Sequence, residues 1–540
     1  MRPTRATAAI ESRPAASRGV RYPVPGTAAH GIAGGPVAGI ARHCFRGDPR
    51  LAPCSRRCAG GGPARPVGSD GRARPLLRTA RGAVRVIGAT ACPRLDLSLS
   101  PRNLHMAKIA IRGDLLDLPR DPGLTSVDAA AVRWRPDHWL MVESGVIVDA
   151  TDVEPGADWN RIDRRGHLIL PGFIDTHVHL PQLEVMASYG TGLLDWLERY
   201  TFPAELRYSD AEHAEQGARR FLDALLAQGT TSAAVFATVH EQSADALAHA
   251  SAERGMRIIG GKVLMDRHAP AGLLDPAGGG IEAARRHIRR WHGRDRLSCA
   301  VTVRFAATST PAQLSLAGAL LDEVPDLYMQ THLAETREEV AWIASLFPEA
   351  RSYLDVYARH GLLGPRSIFA HGIWLDATDR EALANAGACI AHCPGSNLFL
   401  GSGLMDWKSL DAASVPVTLA TDVGGGTSLS MTRAMAQAYE VQSLQGLRLT
   451  AWTLLHAATH GAAAALGLDR EIGLLEPGRC ADFTVWRWQT SSVQEWRQAH
   501  AKALHERVFA WLMLATPGNL RETWVRGRRV AGSDACAVDA

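Results

Sequence analysis

From Leu168 to Gly426 the chain repeats one pattern that leaves few folds open. Eight apolar runs recur: "LILPGFIDTHV", "TTSAAVFATV", "MRIIGGKVLM", "SCAVTVRFA", "LYMQTHLAE", "SIFAHGIWL", "ACIAHCPGS" and "VPVTLATDVGGG". Helical stretches such as "DAEHAEQGARRFLDALLAQG" and "TREEVAWIASLF" lie between them. Strands alternating with helices in this way predict an α/β fold, a (β/α)8 TIM-like barrel spanning about 171–467. Both flanks differ in kind. "KIAIRGDLLDL", "WLMVESGVIVDA" and "HLIL" before the barrel, and "DFTVWRW" and "RETWVRGRRVAG" after it, read as short strands with turn residues between them. Residues 106–170 and 468–540 are therefore expected to build one small β-sandwich domain from the two ends.

The polar residues of the barrel runs are not scattered. His177, His179, Arg304, His332, His371 and Asp422 each fall near the C-terminal end of an apolar run, the face on which such barrels build their sites. His177 and His179 stand at i and i+2, so on a strand they project to one side, roughly 6.5–7 Å apart. Two imidazoles at that spacing can reach one metal at about 2.0–2.1 Å each. Three imidazoles and a carboxylate suit a divalent transition metal, zinc or iron, better than calcium or magnesium. Such a metal with an open position moves its bound water's pKa from about 15.7 towards 7. The water then needs proton carriers. Glu335 follows His332 by three residues, and Asp422 can take a proton while touching the metal.

Two decoys are set aside. "HAE" at His213–Glu215 lies in a polar helical stretch and reads as a solvated face. "PCSRRC" at Pro53–Cys58 has the wrong spacing and order for the H-x-E/P-C-x-x-C zinc deaminases. His392 and Cys393 are adjacent, so on a strand they face opposite sides and read as packing or strand-end support. Gly424–Gly426 are expected to permit close backbone approach.

Charge and cysteines bound the rest. Residues 1–105 hold 18 Arg, no Lys and four acids, a balance of +14. The remainder holds 41 basic and 51 acidic residues, a balance of −10. An acidic body does not point to nucleic acid, and no run of 18 apolar residues offers a membrane span. The first segment is rich in Arg, Gly, Ala and Pro and has little to bury. It reads as a basic tail, a targeting peptide or translation from too early a start. The last is favoured, because ordered-looking sequence begins at Met106. Five cysteines of the body (Cys299, Cys389, Cys393, Cys480, Cys536) form no close pair, which suggests a reducing, cytoplasmic setting without disulfides.

Taken together, "PGFIDTHVHLPQ", "GTGLLDWLERYTFPAE", "RFAATS", "THLAE", "FAHG", "CPGSNLFLGSGL" and "LATDVGGGTSLSM" resemble the guanine deaminase branch of the amidohydrolase superfamily, across about 106–540. The resemblance implies zinc ligands at His177, His179, His332 and Asp422. It implies a proton shuttle at Glu335 and a histidine beside the metal water at His371. It also implies purine-binding positions at Gln182, Arg304 and Phe305, with His179, His332, Glu335 and Asp422 also close to the substrate. The expected reaction is deamination of guanine at C2 to xanthine and ammonia, in purine catabolism, by a homodimer. The residue chemistry agrees: Arg304 can donate to a ring carbonyl, Gln182 offers both a donor and an acceptor, and Phe305 can stack on a flat base. Arg304 could equally pair with a structural carboxylate, and Phe305 could join the core. The chain has "TVRF" and "AATS" where the family more often has proline, and Trp374 could narrow the pocket or simply pack. An amidohydrolase acting on a triazine, a pterin or another purine would keep the metal set and change the purine positions. A non-catalytic barrel should have lost ligands or shuttle.

Overall fold

The computed structural model describes residues 108–190 and 192–532. The expectations for residues 1–105, including "PCSRRC", and for Cys536 fall outside them.

Eight parallel strands follow one another around a barrel in chain order: Phe173–His179, Thr230–Phe236, Arg257–Gly261, Leu297–Val303, Tyr328–Leu333, Ser367–His371, Cys389–His392 and Val417–Leu419. A two-residue extension, Val263–Leu264, also pairs with the fourth strand. Strands of this kind are covered on both faces, which is why they are continuous apolar runs rather than alternating ones. Phe173–His179 and Thr230–Phe236 are buried at every residue. The last strand meets the first through the Thr176 hydroxyl, which contacts the Thr418 hydroxyl at 2.7 Å and donates to the Leu419 carbonyl at 3.0 Å. Just beyond, the Asp422 amide donates to the His177 carbonyl at 2.9 Å. The junction that closes the barrel thus carries two of the candidate metal ligands.

The two flanks do meet in one β unit. Its seven strands run in a single hydrogen-bonded path: Arg528–Gly532, Leu520–Val525, Phe483–Arg487, Asn160–Pro171, Lys108–Asp117, Arg133–Glu143 and Val146–Thr151. All neighbours are antiparallel except Lys108–Asp117 with Asn160–Pro171. The expected hairpin turn at Ser144–Gly145 has φ of 54° and 81°, the left-handed pair that matches strand twist in two-residue hairpins. Ile111, Leu140, Ile169, Phe483 and Trp524 are among the residues of this unit's own apolar core. Phe173 packs on Trp486 at 5.6 Å between ring centres. A buried ion pair, Arg296 with Asp482, ties the barrel to the β unit.

One excursion interrupts the regular barrel. Between its first and second strands the chain forms a 3-10 turn, Leu180–Val185, and then the helix Leu193–Trp196. That helix runs through a π turn, Leu197–Thr201, into the helix Phe202–Arg207. Trp196, Leu197 and Phe202 cluster with Phe236, Val263 and Met265 from the barrel's upper end, so the excursion is packed down over the strand ends.

Candidate active site

His177 and His179 end the first strand and point together, with ring centres 4.9 Å apart. His332 on the fifth strand joins them: the His179 Nε2 atom is 3.2 Å from both the His177 and the His332 Nε2 atoms. Asp422 Oδ1 is 3.3 Å from the Nε2 atoms of His177 and His179. Ligand atoms of all four lie within 4.8 Å of one another. His332 Nδ1 donates to the Arg304 carbonyl at 2.7 Å, which leaves its Nε2 as a bare lone pair. Imidazole lone pairs and a carboxylate oxygen converging on one buried point repel unless a cation sits among them. The donor set therefore fits a divalent transition metal. Burial pushes all three imidazoles down, His179 to about 3, so they are neutral and ready to bind metal. Burial opposes the charge of Asp422, yet its contacts with His177 and His179 hold the carboxyl well below the usual range.

Backbone strain marks the same strand ends. His371, Asp422 and Ala334 have φ of 71°, 46° and 49°, a region costly for residues other than glycine and common at functional sites. Asp422 is steadied from below by Asp175, which accepts from the Thr421 amide at 3.0 Å and from its hydroxyl. Asp175 is the residue two positions before His177, on the same strand face, and was not singled out from the sequence. Gly426 has no room for a side chain, because a Cβ there would lie 1.9 Å from the Thr421 carbonyl. The expected close approach in Gly424–Gly426 is thus present.

Glu335 begins the loop after His332. Its backbone N–H donates to Glu339 at 2.9 Å, and Glu339 also closes a capping box with Thr336 at the start of helix Arg337–Leu346. The "T-x-x-E" spacing is a sequence signature of that cap. Ser402 donates to Glu335 Oε1 at 2.8 Å, and Glu335 Oε2 lies 3.5 Å from His371 Nε2. Burial, then the nearby Asp422 charge, raises the Glu335 carboxyl to about 8. A carboxyl in that range can both hold and release a proton near neutral pH. His371 Nδ1 contacts Asn397 Oδ1 at 2.9 Å, which orients the ring and leaves Nε2, near the Glu335 and Asp422 carboxylates, without a hydrogen bond among the described residues.

One cavity gathers the rest. His179, His332, Glu335 and Asp422 line it with Gln182, Arg304 and Phe305. Leu193, Trp196, Leu197 and Leu400 supply apolar walls. Gln182 is held by its Oε1, which accepts from the Gly424 amide at 3.3 Å. Phe305 packs edge-on to Trp342 at 6.0 Å. Arg304 meets both of its alternatives: it lines the cavity, and it pairs with Glu205, a buried carboxylate on the helix Phe202–Arg207. Trp374 is not a cavity residue. It stacks under Arg337 at 3.6 Å and donates to the Ser402 carbonyl at 3.2 Å, so it braces the loop that holds Glu335.

Cys393 packs at the strand end as expected, in an apolar cluster with its thiol on the Ala391 carbonyl at 3.3 Å, and its sulfur also lies within 4.8 Å of ligand atoms of His177, His371 and Asp422. It falls just past the seventh strand, where strict alternation no longer governs direction. His213 pairs with Glu184 at 2.9 Å on the surface of helix Ala211–Leu226, away from the cavity.

A parallel barrel with this donor set at its C-terminal face defines a metal-dependent hydrolase scaffold, and the chain belongs to the amidohydrolase family, whose model matches residues 168–530. Within that family it is 42% identical over 426 residues to guanine deaminase of Escherichia coli, covering 78% of this chain and 97% of that protein. It is 34% identical over 374 residues to guanine deaminase of Rattus norvegicus, covering 67% and 82%. The solved E. coli guanine deaminase superposes with a TM-score of 0.76 at 40% identity, covering 78% of this chain and 99% of the other. Guanine deaminase from Bradyrhizobium japonicum gives 0.76 at 32% identity, covering 79% and 100%.

Proposed function

We propose that this chain is a guanine deaminase that hydrolyses guanine to xanthine and ammonia, with zinc held by His177, His179, His332 and Asp422. The observation that carries the proposal is convergence. Three of the four metal-capable residues (His179, His332 and Asp422), a proton-holding glutamate and a set of purine-compatible side chains line one cavity, in a chain 42% identical over 426 residues to a guanine deaminase.

A divalent metal held by His177, His179, His332 and Asp422 would supply Lewis acidity, making a bound water a hydroxide-like nucleophile near neutral pH. The chain's own residues do the rest. Arg304 donates to the carbonyl at C6, Gln182 reads a ring edge and Phe305 packs on the base, which together present C2 to the water. Asp422 accepts a proton from the water, while His371 holds the water in place. Glu335 delivers a proton to the ring nitrogen beside C2 as the water oxygen bonds to C2. The proton held by Asp422 then passes to the exocyclic amino group, the bond from C2 to that group breaks and ammonia leaves. The new hydroxyl returns its proton to Glu335 as the C2 carbonyl forms. Water supplies the oxygen gained by xanthine, and the amino group departs with the balancing hydrogen. Apolar Trp196, Leu197 and Leu400 keep bulk water from competing.

Residues 106–170 and 468–540 serve as the small domain and 171–467 as the catalytic barrel in this reading. Free Cys299, Cys389, Cys393 and Cys480 support a reducing, cytoplasmic location, and no described helix is long and apolar enough to cross a membrane. The homodimer and a place in purine breakdown follow from the family resemblance. The decisive experiment is ammonia release from guanine, adenine, cytosine and a triazine, with zinc content measured on the same sample. Guanine alone should yield ammonia at a high rate. Ammonia from another substrate and not from guanine would overturn the proposal.

A further inference from the structure

We infer that Glu205 is a positioning residue that sets the charge of the purine site: by neutralising Arg304 it makes the cavity select neutral bases and reject anionic ones. This rests on the guanine reading above and deepens it.

Arg304 is 2% exposed and Glu205 is fully buried. A guanidinium keeps its charge in a protein, so one placed here requires a counter-charge within reach. Arg304 NH1 donates to Glu205 Oε1, and no other hydrogen bond of the guanidinium is made among the described residues. Its carbon also sits 5.6 Å from the Phe202 ring on the same short helix. The guanidinium is therefore held from behind by one edge, with donors left for the cavity it lines. Burial raises the Glu205 carboxyl against the opposing pull of Arg304, and its second oxygen has no hydrogen-bond partner among the described residues. Among the described residues Arg304 is the hydrogen-bond partner of that carboxylate, and Glu205 is the ion-pair partner of the guanidinium.

The chemical consequence concerns ligand charge. An ion pair presents a fork of hydrogen-bond donors without a net positive field, which suits a neutral carbonyl. An unpaired guanidinium at the same point would attract anions in a low-dielectric site. Guanine is neutral near pH 7. Its oxidised relatives are more acidic, because each added ring carbonyl stabilises the anion, and urate is anionic there. The pair thus admits substrate while disfavouring anionic purines that resemble it.

The test is direct binding of hypoxanthine, a neutral purine, and urate, an anionic one, to zinc-loaded protein by calorimetry. Guanine kinetics and zinc content are read on the same preparations. In Glu205→Gln the urate-to-hypoxanthine Kd ratio should shift at least about tenfold towards urate. The guanine KM should rise more than kcat falls, with zinc content unchanged. Glu205→Asp, which keeps the charge, should keep the wild-type ratio. Where Glu205→Gln does not accumulate, Glu205→Ala with added formate serves, since formate should restore both urate exclusion and guanine KM. Equal shifts for both purines, or no response to formate, would overturn the inference. A wild-type protein that releases no ammonia from guanine would instead overturn the functional proposal, while the two Kd values would still test Glu205.

Discussion

The metal-capable set and the purine-facing set share one cavity but are built in different ways. His177, His179 and His332 stand on barrel strands, and Asp422 follows the last one by three residues, so their placement is inherited from a closed ladder of hydrogen bonds. Gln182, Arg304 and Phe305 stand beyond strand ends, held by a glycine amide, an inserted helix and a neighbouring tryptophan. The frame that must hold ligands to a few tenths of an ångström is the hydrogen-bonded ladder of the barrel. The side chains proposed to read the substrate are carried by segments that can change without altering the barrel.

That contrast can be broken most severely from the metal side. Asp422→Ala or His332→Ala should lose the bound metal and reduce ammonia release by roughly four orders of magnitude or more. Elemental analysis beside the assay checks it, and full activity with metal retained would refute the ligand assignment. Glu335→Gln should separate chemistry from metal binding, with zinc content kept and kcat down by about 10²–10⁴. On the purine side, Arg304→Ala should leave zinc in place and lower kcat/KM for guanine by about a hundredfold, since a charged donor is lost. The same change strands Glu205 in the interior and should cost about 3–5 kcal/mol of stability in denaturant unfolding. The smallest effect expected is Gln182→Ala, with kcat/KM down about tenfold and neither metal content nor melting temperature moved appreciably. A loss of zinc in either purine-side variant would show that the two sets are not separable as described.

The sequence on its own determined the barrel and picked out the four residues that the structure gathers into the metal-capable group. Doubly buried strands must be apolar throughout, so a histidine pair at i and i+2 or a lone His, Arg or Asp at the end of such a run stands out against its background. The same pattern at both ends predicted a β unit made from the two flanks, and its Ser-Gly hairpin was legible because that turn needs φ above zero twice. Glu335 was legible too, and the Thr336–Glu339 cap that fixes it is a local spacing.

Other features became visible only in three dimensions. Arg304 is an ion-pair partner and a cavity residue together, because its carboxylate comes from Glu205, 99 residues earlier. Asp175 supports Asp422 through Thr421, 246 residues away. Asn397, on the short helix Pro394–Phe399, and Ser402, just beyond it, reach His371 and Glu335, and no periodicity connects them. Cys393 turns towards the ligands because the strand ends at His392 and alternation ends with it. Period and composition report whether a residue is buried and on which face of its own element. Which two buried groups neutralise each other depends on how distant elements are packed, and only the tertiary structure decides that.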